Sequence, residues 1–270
     1  MASRTSLYSV SREIARLSRE GNSIVVTHGN GPQVGYLAMR ERKSFAELTA
    51  QTEAWLGLEI EESIEAKGSK AAVVVTRVEV ESHDAGFKHP TKPIGRFYPK
   101  EEAEALRKKG HRLVKLIHGY REVVASPRPV RVLGLDAVRE LLSVDYVVIA
   151  GGGGGIAVSR GSHQYLNAVI DKDLTSSLIA RELGADRLII LTNIDGAYIG
   201  FTGKEKRKLG RVGTREMRRY LKAGEFEAGS MMPKVEACLE FVKRKRIAAI
   251  GRLEDARDVF SLRRCTVITA

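Results

Sequence analysis

Asp171, Lys172 and Asp173 are consecutive, and an amphipathic stretch begins directly after them. A lysine at such an entrance can neutralise charge on a transferring phosphoryl group, while Asp173 orients it or helps bind a metal–nucleotide. The same triplet also reads as a helix N-cap, at Asp171 or Asp173, with Lys172 in solvent. Lys234 follows Pro233 at an expected helix start, at N1 or N2, where its charge opposes the helix dipole. A nearby anion would remove that conflict. His28, in the run His28-Gly29-Asn30-Gly31, is the histidine best placed for a polar site. The five glycines at 151–155 follow an apolar run. Their backbone can approach a ligand closely, and a concave row of N–H groups can hold an anion.

Other chemistries lack their residues. The chain has no GxxxxGK[ST], HExxH, CxxC or GxSxG pattern. Its six histidines show no metal-ligand spacing, so no metal site is assigned. Phosphoryl transfer needs positioning and charge compensation rather than a protein nucleophile, and lysines with amide donors suffice.

The elements that must position these residues centre on 146–198. Two short Val/Ile/Leu runs, 147–150 and 187–192, flank the amphipathic segment 174–183, giving strand, loop, helix, strand. Such near-continuous apolar runs belong to buried parallel strands, beyond whose carboxyl ends α/β proteins bind ligands. Helices are expected at 10–19, 46–66, 99–109, 135–142, 215–223, 234–244 and 253–260. Further strands are expected at 23–27, 71–78, 247–250 and the terminus. Leu48, Trp55, Leu58 and Ile64 are the expected buried positions of the 46–66 helix. The stretch 81–98 loses periodicity, and 111–117 with 122–125 could form a small hairpin. The region 81–130 therefore reads as a lid-like excursion on a single domain spanning 1–270.

A 270-residue chain, 43% hydrophobic, can bury one large core or two modest ones. No stretch approaches the ~20 apolar residues of a membrane span, and the first residues lack a secretory apolar region. Cys238 and Cys265 have neither metal nor redox spacing. A cytoplasmic protein is the expectation. The net charge of +12 suits anionic metabolites. The densest basic stretch, 203–222, carries nine basic and two acidic residues but no nucleic-acid motif, so nucleic-acid binding is not expected.

Seven motifs resemble carbamate kinase, in that family's order: THGNGPQVG (27–35), KPIGRFY (92–98), VVASPRP (123–129), VIAGGGGGIAV (148–158), VIDKDLTSSL (169–178), LTNIDGAY (191–198) and GSMMPKVEA (229–237). The resemblance implies the amino acid kinase fold, a three-layer α/β/α sandwich with a mainly parallel sheet and a small protruding subdomain. It implies reversible phosphoryl transfer between ATP and carbamate, with Mg2+ carried by the nucleotide. Lys115 would reach in from the excursion, Lys172 would contact the transferring phosphoryl group, and Lys234 the nucleotide phosphates. Asp173 would organise the lysines. His28, Gly29, Asn30 and Gly31 would cradle the substrate, with Gly152, Gly153 and Gly154 shaping its side. Asn193, Asp195, Gly196, Tyr198 and Met231 would line the nucleotide side. The resemblance also implies a homodimer, for which the apolar face of the 47–64 helix would serve.

The family opens with a strand and glycine loop close to VVALGGNAL, whereas this chain starts near the first helix. The expectation is that this strand and its donors are absent. Met232 stands where the family usually has glycine, Ala157 where it has proline, and Gly134-Leu135-Asp136 replaces an isoleucine-and-glutamate pattern. Two rivals remain beside the carbamate reading. One is a kinase of another small carboxylate or phosphate, and the other a catalytically impaired relative that only binds nucleotide.

Overall fold

The run Val147–Ala150 has no polar side to offer water, and the strand it forms is buried throughout. Val147 and Ile149 pack with Ile14 and Ile64, whereas Val148 and Ala150 pack with Val138, Ile170 and Leu178. Alternate residues of a strand face opposite ways, so this strand is covered by helices on both sides.

The computed structural model describes residues 4–116, 118–200, 205–243 and 245–270. The expected strand end at 117, the helix end at 244 and the first residues of the basic stretch, 203–204, lie outside these. The chain begins with α1 (Arg4–Arg19), β1 (Val25–Val26), α2 (Gly31–Ala38), α3 (Phe45–Glu65), β2 (Ala71–Val74) and β3 (Arg77–Val80). The excursion holds α4 (Ala85–Lys88), β4 (Lys92–Tyr98), α5 (Lys100–Lys108), β5 (Leu113–Leu116) and β6 (Gly119–Val124). There follow β7 (Arg131–Leu133), α6 (Leu135–Ser143), β8 (Val147–Ala150), β9 (Ile156–Ser159), α7 (Lys172–Glu182) and β10 (Arg187–Thr192). The chain continues through β11 (Tyr198–Ile199), β12 (Arg207–Lys208), β13 (Arg211–Gly213), α8 (Thr214–Lys222) and α9 (Met231–Phe241). It closes with β14 (Ile247–Arg252), α10 (Ala256–Phe260) and β15 (Thr266–Thr269).

Parallel pairing dominates the central strands. β8 lies between β1 and β2, parallel to both, while β3 runs parallel to β9 and β10 to β14. β7 and β15 add antiparallel partners, to β3 and β14. On β14 the alternation repeats. Ala248 and Ile250 pack with Val235 and Leu239, and Ala249 packs with Val259 and Val267. The result is the α/β/α layering expected from the sequence. The excursion carries its own antiparallel sheet, β4–β6–β5. The expected hairpin is there, and KPIGRFY adds its outer strand.

Three local expectations need correction. The run 71–78 is two strands, because the chain turns at Thr76, whose N–H and hydroxyl are both engaged by groups around the glycine turn. α9 begins at Met231, so Lys234 falls past its first turn positions. Trp55 and Leu58 are 55% and 50% exposed rather than buried. Leu48 and Ile64 are buried as expected, and α3, closed at its start by a Ser44–Glu47 capping box, turns Thr49, Thr52, Glu53 and Gly57 inward with them. Its polar stripe faces inward because the glycine turn and Thr76 supply the partners that stripe needs.

Candidate active site

Asp171 caps α7, its Oδ1 accepting the N–H groups of Asp173 (2.9 Å) and Leu174 (3.3 Å). The N-cap reading is therefore right for Asp171. It does not leave Lys172 in solvent. Lys172 Nζ donates to Asp173 Oδ1 at 2.6 Å, and Lys234 Nζ, from α9, donates to Asp173 Oδ2 at 2.8 Å. Asp173 is only 4% exposed. Burial alone would raise its pKa, but the two ammonium groups outweigh burial and hold the carboxyl well below the usual carboxylate range. A third lysine joins from the excursion: Lys92 Nζ lies 2.5 Å from Asp171 Oδ2. Three cations from β4, α7 and α9 thus converge on two adjacent carboxylates.

The loop before α2 closes one side. A Cβ on Gly29 would touch the Lys172 stem at 3.2 Å, so the glycine lets the loop lie against that side chain. Asn30 is buried, its Nδ2 donating to Thr52 Oγ1 at 2.9 Å. Among the described residues, the N–H groups of Gly29, Asn30 and Gly31 have no protein acceptor. They open the N-terminus of α2, where backbone donors favour an anion.

The glycine turn behaves otherwise than expected. Every N–H of 151–155 is already committed. Gly151 donates to Thr76 Oγ1 (2.9 Å), Gly152 to Glu53 Oε1 (3.0 Å) and Gly153 to the His28 carbonyl (2.8 Å). Gly154 and Gly155 donate back to the carbonyls of Gly151 and Gly152. Gly152, Gly153 and Gly154 therefore do not form an open amide nest. They act as spacers that let buried groups meet: a Cβ on Gly153 would sit 2.0 Å from the Asn30 amide, and one on Gly154 2.3 Å from the Ile170 carbonyl.

The remaining candidates lie apart from this cluster or beneath it. Asp195 accepts from Tyr198 Oη and from Lys208 Nζ, each at 2.8 Å. The Lys208 hydrogen bond first, and the Tyr198 hydroxyl with it, lower the Asp195 pKa. Gly196 is buried against Thr266 and Lys208, while Asn193 is exposed. Met231 is 8% exposed and packs into the core around Val235 and Leu239. Its position at the start of α9 points it inward rather than to an opening. Lys115 stands exposed on β5, and among the described residues no hydrogen bond or ion pair ties it to Asp173.

Two participants escaped the sequence reading. Lys92 could have been found from KPIG, where it was quoted within a motif but given no role. Glu53 carries no such signal, since a glutamate among helix residues reads as solvated.

Lysines converging on a buried carboxylate beside a helix N-terminus, at the carboxyl ends of parallel strands, define an α/β protein built to hold phosphate groups. Residues 1–250 match the amino acid kinase family. Carbamate kinase 3 of Staphylococcus aureus (strain USA300) is 39% identical over 277 residues, covering 93% of this chain and 90% of that protein. Carbamate kinase 2 of Enterococcus faecalis (strain ATCC 700802 / V583) is 39% identical, covering 91% and 86%. A solved structure from Aeropyrum pernix K1 superposes with a TM-score of 0.84 at 41% identity, covering 97% of this chain and 90% of that one. The carbamate kinase of Giardia lamblia bound to AMP-PNP gives 0.81 at 33%, covering 97% and 89%. The chain belongs to the amino acid kinase family, within its carbamate kinase branch.

Proposed function

We propose that this chain catalyses reversible phosphoryl transfer between ATP and carbamate, with carbamoyl phosphate and ADP on the other side. The observation that carries the reading is the clasp of Asp173 between Lys172 and Lys234. Both Asp173 oxygens are taken by ammonium groups, so it serves as organiser of the lysines, and Mg2+ would enter with the nucleotide. With Asp173 fixing their stems, Lys172 and Lys234 can neutralise charge on the transferred group without reorganising during the step. Gly29, Asn30 and Gly31 would supply backbone donors to the substrate anion. His28 and the spacer glycines would hold that loop in place. Asn193, Asp195, Gly196 and Tyr198 would shape the nucleotide side, with Met231 supporting from below.

Lys115 would join only when the excursion 81–130, a lid on one domain, closes. The exposed Trp55 and Leu58 of α3 support a homodimer through that face. A monomer mass in sedimentation would refute it.

The test is ATP formation from carbamoyl phosphate and MgADP. Turnover with this pair, and none with acetyl phosphate, is expected. Faster turnover with another acyl phosphate would favour the rival acceptor, and nucleotide binding without turnover the impaired relative.

A further inference from the structure

Two hydroxyls join the end of β1 to the first turn of α7. Ser176 Oγ lies 2.7 Å from the Lys172 carbonyl and 2.7 Å from Thr27 Oγ1. A carbonyl oxygen only accepts, so the single Ser176 hydroxyl hydrogen goes to Lys172. Thr27 must then donate to Ser176. The relay has one direction: Thr27 Oγ1–H to Ser176 Oγ, and Ser176 Oγ–H to the Lys172 carbonyl. A serine that bonds back to the carbonyl four residues earlier is ordinary in a helix. A donor supplied to that serine from another element is not. Ser176 is 7% exposed, so little water reaches it to take that donor's place.

Neighbouring contacts bind the same pieces together. One residue earlier on α7, Thr175 Oγ1 donates to the Gly154 carbonyl at 2.9 Å. The Thr27 methyl faces the glycine turn, since a Cβ on Gly151 would lie 3.8 Å from Thr27 Cγ2 and 3.4 Å from Thr175 Cγ2. Two residues after Thr27, Gly29 lies against the Lys172 stem. Lys172 is thus held at its head by Asp173, along its stem by Gly29 and at its backbone, through Ser176, by Thr27. Thr27 leads directly into the segment 29–31 whose N–H groups open α2. The relay therefore sets the spacing between the donors for the substrate anion and the cation for the transferring group.

We propose that Thr27 is a positioning residue whose hydroxyl, acting through Ser176, holds the substrate loop in register with Lys172. Its effect on rate rests on the phosphoryl-transfer reading, while the hydrogen bonds themselves do not. The one hydroxyl hydrogen of Thr27 is committed to Ser176, so it has none to offer a substrate anion and acts by placement. Placement matters because the reacting groups must meet in line, and a displacement of ~1 Å can slow a reaction by about 10²-fold.

Thr27→Val keeps the branched shape, removes the hydroxyl and leaves Ser176 bonded to Lys172. In ATP formation from carbamoyl phosphate and MgADP its kcat is expected to fall about tenfold, with both KM values within about twofold of the parent's, as for a loss felt in the transition state. Thr27→Ser keeps the donor and is expected to retain the parent's kcat. Ser176→Ala breaks the same relay, so it should slow the enzyme by a similar factor and add little to Thr27→Val. A Thr27→Val enzyme with the parent's kcat overturns the proposal. So does a loss confined to KM, a Thr27→Ser enzyme as slow as Thr27→Val, or losses that multiply in the double variant. Denaturant melts of the parent, the two single variants and the double variant test the link without turnover. Stability losses smaller together than their sum support it, and additive losses overturn it. Coupled melts in a parent that transfers no phosphoryl group keep the relay and overturn only the assigned reaction.

Discussion

Asp173 shows how one buried carboxylate can organise two lysines. Removing its charge leaves two ammonium groups facing each other with partial burial. Breaking a buried pair in this way costs on the order of 3 kcal/mol. Because its folded pKa is depressed, Asp173 contributes stability that is present above the unfolded carboxylate pKa, about 4, and lost as pH falls through the folded value. Asp173→Asn is expected to lower the melting temperature at pH 7 and to flatten its fall between pH 5 and 3, as calorimetry would read. A mutant whose acid limb matches the parent's contradicts the clasp. Asp171, Lys172 and Asp173 were legible because their types and their place at a helix start are local facts, whereas Lys234 was singled out for a place at N1 or N2 that it does not occupy. Glu53 and Lys92 were not, since what holds them is Thr76, Gly152 and Asp171, remote in the sequence.

At the scale of elements, the glycine turn is a spacer. Its amides point into the protein, and its missing side chains make room for His28, Asn30, Glu53 and Ile170. Gly153 has φ +66° and the Asn30 amide 2.0 Å from where a Cβ would stand. Gly161, at φ +82°, meets nothing there. Gly153→Ala is therefore expected to cost several kcal/mol and Gly161→Ala only about 1 kcal/mol. Denaturant melts of the two variants check this, and equal losses would contradict close approach as the reason for Gly153. The glycine run was visible in the sequence, but which way its N–H groups point was not. The same blindness put Trp55 and Leu58 of α3 inside, although the helix itself and its buried Leu48 and Ile64 fall where the sequence placed them. Apolar residues mark a core face only when no polar face is more strongly required, and here Thr49, Thr52 and Glu53 take the inner side.

Over the whole molecule, double-sided burial of β8 and β14 made an α/β plan with buried parallel strands readable from apolar runs, while the three-layer arrangement came from the family resemblance. The excursion was harder, because its small sheet β4–β6–β5 is stabilised by pairing more than by a periodic apolar face. It is tied to the body by Lys92 on Asp171 and by Arg128, which pairs with Glu236 and Glu240 of α9. Lys115 remains exposed at its far strand. Closure on substrate would bring that lysine inward, so hydrogen exchange across 113–116 and 119–124 is expected to slow when MgADP and carbamoyl phosphate bind. Exchange unchanged by ligands would contradict a closing lid.

The most direct measurement is single-turnover phosphoryl transfer from carbamoyl phosphate to MgADP, comparing the parent with Lys172→Ala under conditions where circular dichroism shows both folded. Loss of a preorganised donor to the transferring group is expected to slow the chemical step by about 10²–10³-fold while nucleotide binding changes little. A Lys172→Ala protein that transfers the group at the parent's rate would contradict the account.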